Sequence, residues 1–170
     1  MKLITNSLTK MIYLPIKPED VELAKNTTKL FDGIKVYNKI ECDDNYIGFL
    51  GELLFHRYLE KQGIEHIWPA FVKKGWDEPD FIIKDKGYDL KTTFTTGLWV
   101  QQPKFDYYIF ARINKDYQDN LILIGYVSNK RVKALINSNK AEVITRGSRI
   151  DYIIPVDKLR PIEELFGKLK

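Results

Sequence analysis

The segment Leu121 to Ser128 places the tightest limit on what this chain can fold into, because it is apolar at nearly every position. A strand exposed on one face alternates apolar and polar residues, whereas a strand covered on both faces is apolar throughout. Asp106 to Ile113 has a similar composition, and the polar stretch Asn114 to Asn120 joins the two segments. We therefore expect two strands at the centre of a sheet that is covered on both faces.

Four segments have the spacing or the end signals of helices. In the segment that begins at Tyr46, apolar residues recur three or four positions apart, and Gly63 offers a C-terminal stop. Pro18, followed by two acidic residues, is typical of a helix start. Helices are expected at Pro18 to Phe31, Tyr46 to Gly63, Asn129 to Ser138 and Leu159 to Leu169. Strands are expected at Glu65 to Val72, Pro79 to Lys84, Tyr88 to Thr93, Asp106 to Ile113, Leu121 to Ser128 and Thr145 to Ile154.

The composition is that of one folded domain. The chain has 170 residues and a mass of 20.0 kDa, enough to bury a core, so we take 1–170 as a single domain. Lys and Arg number 27 against 23 Asp and Glu, and the net charge of +4 permits a polyanionic partner without requiring one.

The single cysteine, Cys42, excludes an internal disulfide framework and fits a reducing cytoplasm. With no apolar run of membrane-spanning length and no signal-peptide core, we expect a cytoplasmic protein without a membrane partner.

Two short motifs on neighbouring predicted strands carry the candidate chemistry. Pro79-Asp80 begins one strand, and Asp89-Leu90-Lys91 lies in the next. Side chains alternate along a strand, so Asp89 and Lys91 point to the same face, and a hairpin brings Asp80 close to them. Two carboxylates and an ammonium suit phosphodiester hydrolysis with a hard metal ion, because oxygens bind Mg²⁺ and the cation lies near the attacking water or the phosphate.

The motif pair is specific within this chain. Asp89-Leu90-Lys91 is the only Asp/Glu-x-Lys tripeptide, and Pro79-Asp80 is the only Pro-Asp. The intervening Asp85-Lys86-Gly87 predicts a tight turn. The alternative interpretation is a polar hairpin with an ion pair at its edge.

These residues resemble the PD-(D/E)xK nuclease superfamily, whose fold is called restriction endonuclease-like. The resemblance covers about Asn45 to Ser128 and implies one helix, a three-strand meander, a second helix and a further strand. The expected fold class is therefore α/β (α+β), with a central mixed β-sheet of about four to five strands flanked by helices. The catalytic core would span about 45–128, with the N-terminal helix 18–31 and the C-terminal strand and helix 144–169 as additions.

The resemblance also implies roles for the motif residues. Asp80 and Asp89, with the backbone carbonyl of Leu90, would bind Mg²⁺, and Mn²⁺ would substitute for it. Lys91 would orient or deprotonate the attacking water, or stabilise the charge that grows on the phosphate.

An acidic residue on the first core helix often completes the site in this family, and Glu52 is the best match. Gly48 and Gly51 flank its face of the helix and would let the helix approach the sheet closely. The alternative for Glu52 is a solvated helix glutamate, the usual environment of this residue type.

Further residues near the motifs are candidates for substrate contacts. Lysines offer phosphate contacts, an aromatic ring offers base stacking, and hydroxyl groups offer hydrogen bonds to the backbone of a nucleic acid. Family members often place a glutamine near the site after the lysine strand, and the resemblance implies this role for Gln101 or Gln102. A ring folded onto the core and a threonine-rich strand are the structural alternatives. The candidates are Lys73, Lys74, Trp76, Thr92, Gln101 and Gln102.

The sequence thus predicts a Mg²⁺-dependent endonuclease that acts on nucleic acid, with DNA as the expected substrate. A homodimer would suit cleavage of both strands of a duplex. Two other hypotheses stay open: a catalytically silent nucleic-acid-binding relative with the same fold, and an unrelated α/β protein-interaction domain.

Overall fold

The computed structural model describes residues 10–31, 46–69, 78–114, 116 and 119–170. Across these ranges the chain forms four α-helices, nine β-strands and a short 3₁₀ turn, Val156–Lys158. The helices are α1 (Pro18–Phe31), α2 (Tyr46–Lys61), α3 (Asn129–Asn137) and α4 (Ile162–Leu169). The strands are β1 (Ile12–Pro15), β2 (Phe81–Ile83), β3 (Lys86–Thr93), β4 (Leu98–Val100), β5 (Tyr107–Ile113), β6 (Asn120–Ser128), β7 (Glu142–Arg146), β8 (Arg149–Ile154) and β9 (Arg160–Pro161).

The main sheet is mixed and has helices on both faces. Its strands run in the order β1-β6-β5-β3-β2, and the short β9 also pairs with β6. β3 and β5 are parallel, and the other neighbours are antiparallel. The expected α+β class, with a central mixed sheet flanked by helices, is confirmed.

The central position of β6 explains its apolar sequence. β6 lies between β1 and β5, so its backbone is paired on both edges. Leu121 and Leu123 are fully buried in the hydrophobic cluster that also contains residues of α1, α2 and α4. Ile124 and Val127 are buried in a second cluster, which contains residues of α3, β4 and β8. The prediction of a strand buried on both faces is confirmed.

A second, three-stranded sheet was not expected from the sequence. It has the order β4-β8-β7 and is antiparallel throughout. The segment expected to be one strand from Thr145 to Ile154 forms the end of β7 and all of β8, joined by a turn at Gly147 with a φ of 61°. Leu98, Val100 and Ile154 are fully buried in the second cluster, so one face of this sheet packs against the main sheet.

The connection between β3 and β5 differs from the pattern that the resemblance implies. Two parallel neighbours need a crossover, which is usually a helix. Here the crossover runs through β4 in the second sheet, and the described residues between β3 and β5 contain no helix. Pro103 disfavours a helix in this stretch because proline has no backbone N–H to donate.

The hairpin of β2 and β3 forms as expected, but its turn begins one residue earlier and ends two residues earlier than expected. Ile83 pairs with Lys86, so Lys84 and Asp85 are the two central turn residues, and both have positive φ angles of 49° and 61°. Two left-handed residues define the type I′ turn that matches the twist of a hairpin. Gly87, which was expected in the turn, lies in β3 instead.

Most of the predicted helix starts and ends are confirmed to within two residues. α1 spans the expected residues, and α2 begins at Tyr46 and is followed by Gly63 with a φ of 67°. The closing helix begins at Ile162, after the 3₁₀ turn and β9. The strand expected at Glu65 to Val72 lies only partly within the described residues, where Ile67 forms a bridge with Ile82. No helix in the described ranges is both long and apolar enough to span a membrane.

Candidate active site

The β2–β3 hairpin brings the two motifs together. Phe81 pairs with Tyr88, so Asp80, one residue before β2, stands opposite Asp89. The carboxylate of Asp80 accepts a hydrogen bond of 2.8 Å from the backbone N–H of Leu90. This bond ties the residue before β2 to the middle of β3 and fixes where the Asp80 carboxylate lies.

Asp89 and Lys91 form a close ion pair on one face of β3. The Lys91 ammonium lies 2.9 Å from Oδ2 of Asp89 and 3.2 Å from Oδ1. Asp89 is 5% exposed, whereas the Lys91 side chain is partly exposed. The pair therefore has a buried carboxylate and a cation that solvent or substrate can reach.

The electrostatics of the pair follow from burial and from the neighbouring Asp80. Burial is the main cause that raises the pKa of Asp89 from 3.8 to about 6; the Lys91 ammonium opposes the shift, and contact with Asp80 adds to it. Burial alone would lower the pKa of Lys91, but the carboxylates of Asp89 and Asp80 outweigh it and the pKa is raised. Lys91 is therefore an ammonium at neutral pH.

The donor set of this cluster fits a hard metal ion. Asp89 and Asp80 present carboxylate oxygens side by side, and the buried Oδ2 of Asp89 lies against the Lys91 ammonium at 2.9 Å. A dication would relieve the repulsion between the two carboxylates. Within the described part of the chain, no group of three or more His, Cys, Asp or Glu side chains is placed to hold a metal. Asp80 and Asp89 are thus the pair from which a site would have to be built.

Glu52 lies on α2, which packs against the other face of β3. A Cβ added to the adjacent Gly51 would stand 1.9 Å from Oγ1 of Thr92, so glycine permits a very close approach of helix and strand. None of the other described residues comes within 4 Å of a Cβ added to Gly48, so only one of the two glycines has the expected role. The Glu52 carboxylate accepts a 2.9 Å hydrogen bond from Nε1 of Trp68.

A histidine–tryptophan cluster surrounds this glutamate, and the sequence did not predict it. Nδ1 of His66 faces the backbone carbonyl of Ile64 at 2.8 Å, and its Nε2 lies 2.8 Å from Nδ1 of His56. A proton on Nδ1 of each ring satisfies both contacts. The His56 ring lies 4.4 Å from that of Trp68. The cluster therefore supports the indole that holds Glu52.

The other sequence-predicted residues divide into three groups. Thr92 lies beside Lys91, with a buried Oγ1 that makes no hydrogen bond to the described residues. Gln101 and Gln102 follow β4 and are exposed; Gln101 contacts Arg149, and the backbone carbonyl of Gln102 accepts from the Tyr108 hydroxyl at 3.3 Å. Lys73, Lys74 and Trp76 lie outside the described residues.

A groove beside Lys91 contains residues that the motifs do not include. Its volume is about 270 Å³, and it connects the end of β3 to the second sheet. Trp99 of β4 and Arg146 of β7 form its far wall. The closeness of Trp99 and Arg146 to Lys91 was not predicted from the sequence, because it depends on the second sheet, which was not predicted either. The lining residues are Lys91, Thr92, Thr93, Thr95, Trp99 and Arg146.

Comparison with known proteins gives only weak structural likeness. No family model and no curated protein matches the sequence. Among solved structures, the fold is similar to that of a nuclease from a fusselovirus, with a TM-score of 0.43 and 13% sequence identity over 79% of this chain and 94% of that chain. A likeness at this level defines no family, so the function has to be argued from the site itself.

Proposed function

We propose that the protein is a metal-dependent nuclease that hydrolyses phosphodiester bonds in nucleic acid, with DNA as the expected substrate. The observation that carries the proposal is the convergence of Asp80, Asp89 and Lys91 at the β2–β3 hairpin. Two carboxylates with an accessible ammonium match the needs of phosphodiester hydrolysis better than those of a surface ion pair, because the Asp89 carboxylate is buried.

Asp80 and Asp89 would hold Mg²⁺, or Mn²⁺ in its place, with the carbonyl of Leu90 as a further oxygen ligand. Bound there, the metal would polarise the phosphoryl oxygen and lower the pKa of a bound water. Glu52 lies on the helix that packs against the opposite face of β3, and its carboxylate is already held by Trp68, so it would act on the metal only indirectly, through an intervening water. Mg²⁺ keeps several waters and binds through few carboxylates, so two direct acids are sufficient.

Lys91 would act as a cation on the phosphate. Its raised pKa favours charge stabilisation over proton abstraction, because a base must be unprotonated at working pH. The ion pair with Asp89 holds the ammonium in place before the substrate arrives, so little reorganisation is needed during the reaction.

The test is cleavage of labelled DNA and RNA substrates with Mg²⁺, with Mn²⁺ and with EDTA. Asp89→Asn and Lys91→Ala should each lower cleavage by at least about a hundredfold. Lys86→Ala is the matched control, because Lys86 lies on the same strand, is exposed and pairs with Asp106 at 3.8 Å. Glu52→Gln should reduce metal affinity by about 10–100-fold, the effect of losing a ligand-supporting group.

Cleavage that persists in Asp89→Asn and Lys91→Ala would contradict the proposal. Metal-dependent binding without cleavage would favour the catalytically silent relative. A protein that binds neither metal nor nucleic acid would favour an interaction domain. Sedimentation of the active protein with and without duplex DNA tests the proposed homodimer.

A further inference from the structure

One face of the second sheet packs in the second hydrophobic cluster, and the other face lines the groove beside Lys91. Leu98 and Val100 point into the core, so Trp99 between them points the opposite way. Residues directly opposite each other in neighbouring strands point to the same face, and Trp99 stands opposite Ile153 of β8, which stands opposite Glu142 of β7. Arg146 lies four residues after Glu142 on β7 and therefore points to the same face. This alternation brings an indole and a guanidinium to the far wall of the groove.

Trp99 and Arg146 are in direct contact. The guanidinium carbon of Arg146 lies 5.0 Å from the centre of the Trp99 ring, within the range of a cation–π interaction. Among the described residues, no carboxylate forms an ion pair with Arg146, so its charge is not neutralised by the protein. A flat ring and an available cation therefore stand together in the groove.

An ion pair between an exposed arginine and a buried aspartate lies on the same face of the second sheet, next to this wall. Arg149 pairs in register with Arg146, and two like charges in this arrangement would repel. Asp151, which is 1% exposed, accepts a hydrogen bond of 2.9 Å from Nε of Arg149. The side-chain amide of Gln101 also contacts the Arg149 guanidinium. Arg149 is thus held and paired with a carboxylate, whereas no described carboxylate forms an ion pair with its cross-strand neighbour Arg146.

Charge distinguishes the groove from the hollow next to it. A hollow of about 330 Å³ shares Trp99 and Thr95 with the groove but has the carboxylate of Glu142 in its wall. The described residues that line the groove include two cations, Lys91 and Arg146, and no carboxylate. A phosphate chain that passes Lys91 would therefore follow the groove towards Arg146 and avoid the hollow.

We propose that the groove binds an unpaired nucleotide next to the cleaved phosphodiester, with its base stacked against the Trp99–Arg146 pair and its phosphate on Lys91 and Arg146. The substrate class that follows is single-stranded nucleic acid, or a duplex that has unpaired nucleotides at an end or junction. A paired base is already stacked in its duplex and has no face to offer an indole, whereas every unpaired base can stack. This assignment of substrate rests on the proposed nuclease function.

The test is the binding and cleavage of three labelled substrates: a single strand, a blunt duplex and a duplex with a single-stranded tail, each made as DNA and as RNA. Binding is measured by fluorescence anisotropy in EDTA, so it does not depend on cleavage. The wild type should bind the single strand and the tailed duplex more tightly than the blunt duplex. Trp99→Ala should weaken binding of the single strand by about tenfold, and Trp99→Phe should retain most of it.

Arg146→Ala should weaken binding of all three substrates. It should also reduce the slope of log affinity against log salt concentration by about one, the contribution of one released counterion. Arg131→Ala is the matched control, because it removes the same charge from an exposed position on α3 and should leave binding unchanged. Thermal melting of each variant checks folding. If Trp99→Ala unfolds the protein, Arg146→Ala replaces it in the same binding measurements, and Arg146→Lys, which keeps the charge, should retain part of the binding.

Two outcomes separate this assignment from the nuclease proposal. Single-strand binding that depends on Trp99, in a protein that cleaves nothing, would support the groove and contradict the nuclease function. Cleavage of blunt duplex that depends on Lys91 but is unchanged in Trp99→Ala and Arg146→Ala would overturn the groove assignment and leave the nuclease function standing. Equal affinities for the DNA and RNA versions of a substrate would support a site that contacts the base and the phosphate but not the sugar.

Discussion

Asp89 is the residue at which stability and the proposed function oppose one another. Its carboxylate is buried and lies beside that of Asp80. Each of these features makes the ionised form costly in the metal-free protein, and a bound dication would reverse that cost. The Lys91 ion pair offsets only part of the cost, since the pKa of Asp89 is still raised to about 6.

We expect this cost to produce a measurable pH dependence of folding stability. Because the pKa of Asp89 is higher in the folded than in the unfolded protein, its contribution to the free energy of unfolding falls as pH rises from about 4 to about 6 and is constant above that. Asp89→Asn lacks this contribution, so its stability relative to wild type should increase across the same range. Denaturant unfolding in EDTA at a series of pH values measures the difference.

Asp157→Asn is the control for this experiment, because Asp157 is an exposed carboxylate outside the site. Its stability difference from wild type should vary much less over the same pH range. A difference between Asp89→Asn and wild type that does not change with pH would show that the Asp89 carboxylate is not destabilised in the folded protein.

At the scale of elements, the site depends on how closely α2 approaches β3. The approach is closest where Gly51 faces Thr92, the neighbour of Lys91. A helical glycine usually costs stability relative to alanine, so its presence here reflects the lack of space for a methyl group. The same helix contains a second glycine with open space around it, which allows the two effects to be separated.

Gly51→Ala and Gly48→Ala should therefore change stability in opposite directions. The methyl group at position 51 would meet both Oγ1 and Cβ of Thr92, at 1.9 and 2.8 Å, and should destabilise the protein by about 2 kcal/mol. At position 48 the methyl group meets none of the other described residues within 4 Å and should stabilise the helix by about 0.5–1 kcal/mol. Chemical denaturation of the two variants measures both changes. Equal effects would show that the helix does not lie as close to β3 as the structure has it.

The hairpin turn offers a second prediction about an element. Lys84 and Asp85 both adopt left-handed backbone conformations, which cost about 1–2 kcal/mol for residues other than glycine. Asp85→Gly should remove part of this cost and raise the free energy of unfolding by about 0.5–1 kcal/mol. Asp85→Ala, which removes the side chain but keeps the strain, should not stabilise. A gain in Asp85→Ala equal to that in Asp85→Gly would indicate that the side chain, not the backbone, is responsible.

At the scale of the whole molecule, the groove exists only because two sheets pack against each other. The main sheet presents Lys91, the second sheet presents Trp99 and Arg146, and the crossover through β4 joins them. A helix in that crossover would have placed neither the indole nor the guanidinium there. The departure from the expected crossover is thus also the feature that gives the proposed substrate groove its far wall.

Metal binding should stabilise the whole fold through mass action. Mg²⁺ at about a hundredfold its dissociation constant should add about 2.7 kcal/mol to the free energy of unfolding, which for a chain of this size raises the melting temperature by about 5–10 °C. Asp89→Asn should lose this increase, and Asp157→Asn should keep it. Thermal melting with Mg²⁺ and with EDTA measures the shift. An increase of the same size in Asp89→Asn would show that the metal binds elsewhere.

The amino-acid sequence by itself determined the parts of this protein that depend on local spacing. The apolar run of β6, the helices that begin at Pro18 and Tyr46, and the hairpin that carries Asp80 and Asp89 all follow from side-chain periodicity over a few residues. Asp89 and Lys91 share a face of one strand, so their pairing was also local information.

Only the tertiary structure decided what lies around that pair. The turn shifted because pairing of β2 with β3 fixed the register, and the crossover became a strand because β8 offered it an edge. The contacts of Glu52 with Trp68 and of Gln101 with Arg149 join residues far apart in the chain or in different strands. Such contacts depend on how elements pack, and spacing along one segment holds no information about the surface that another segment presents to it.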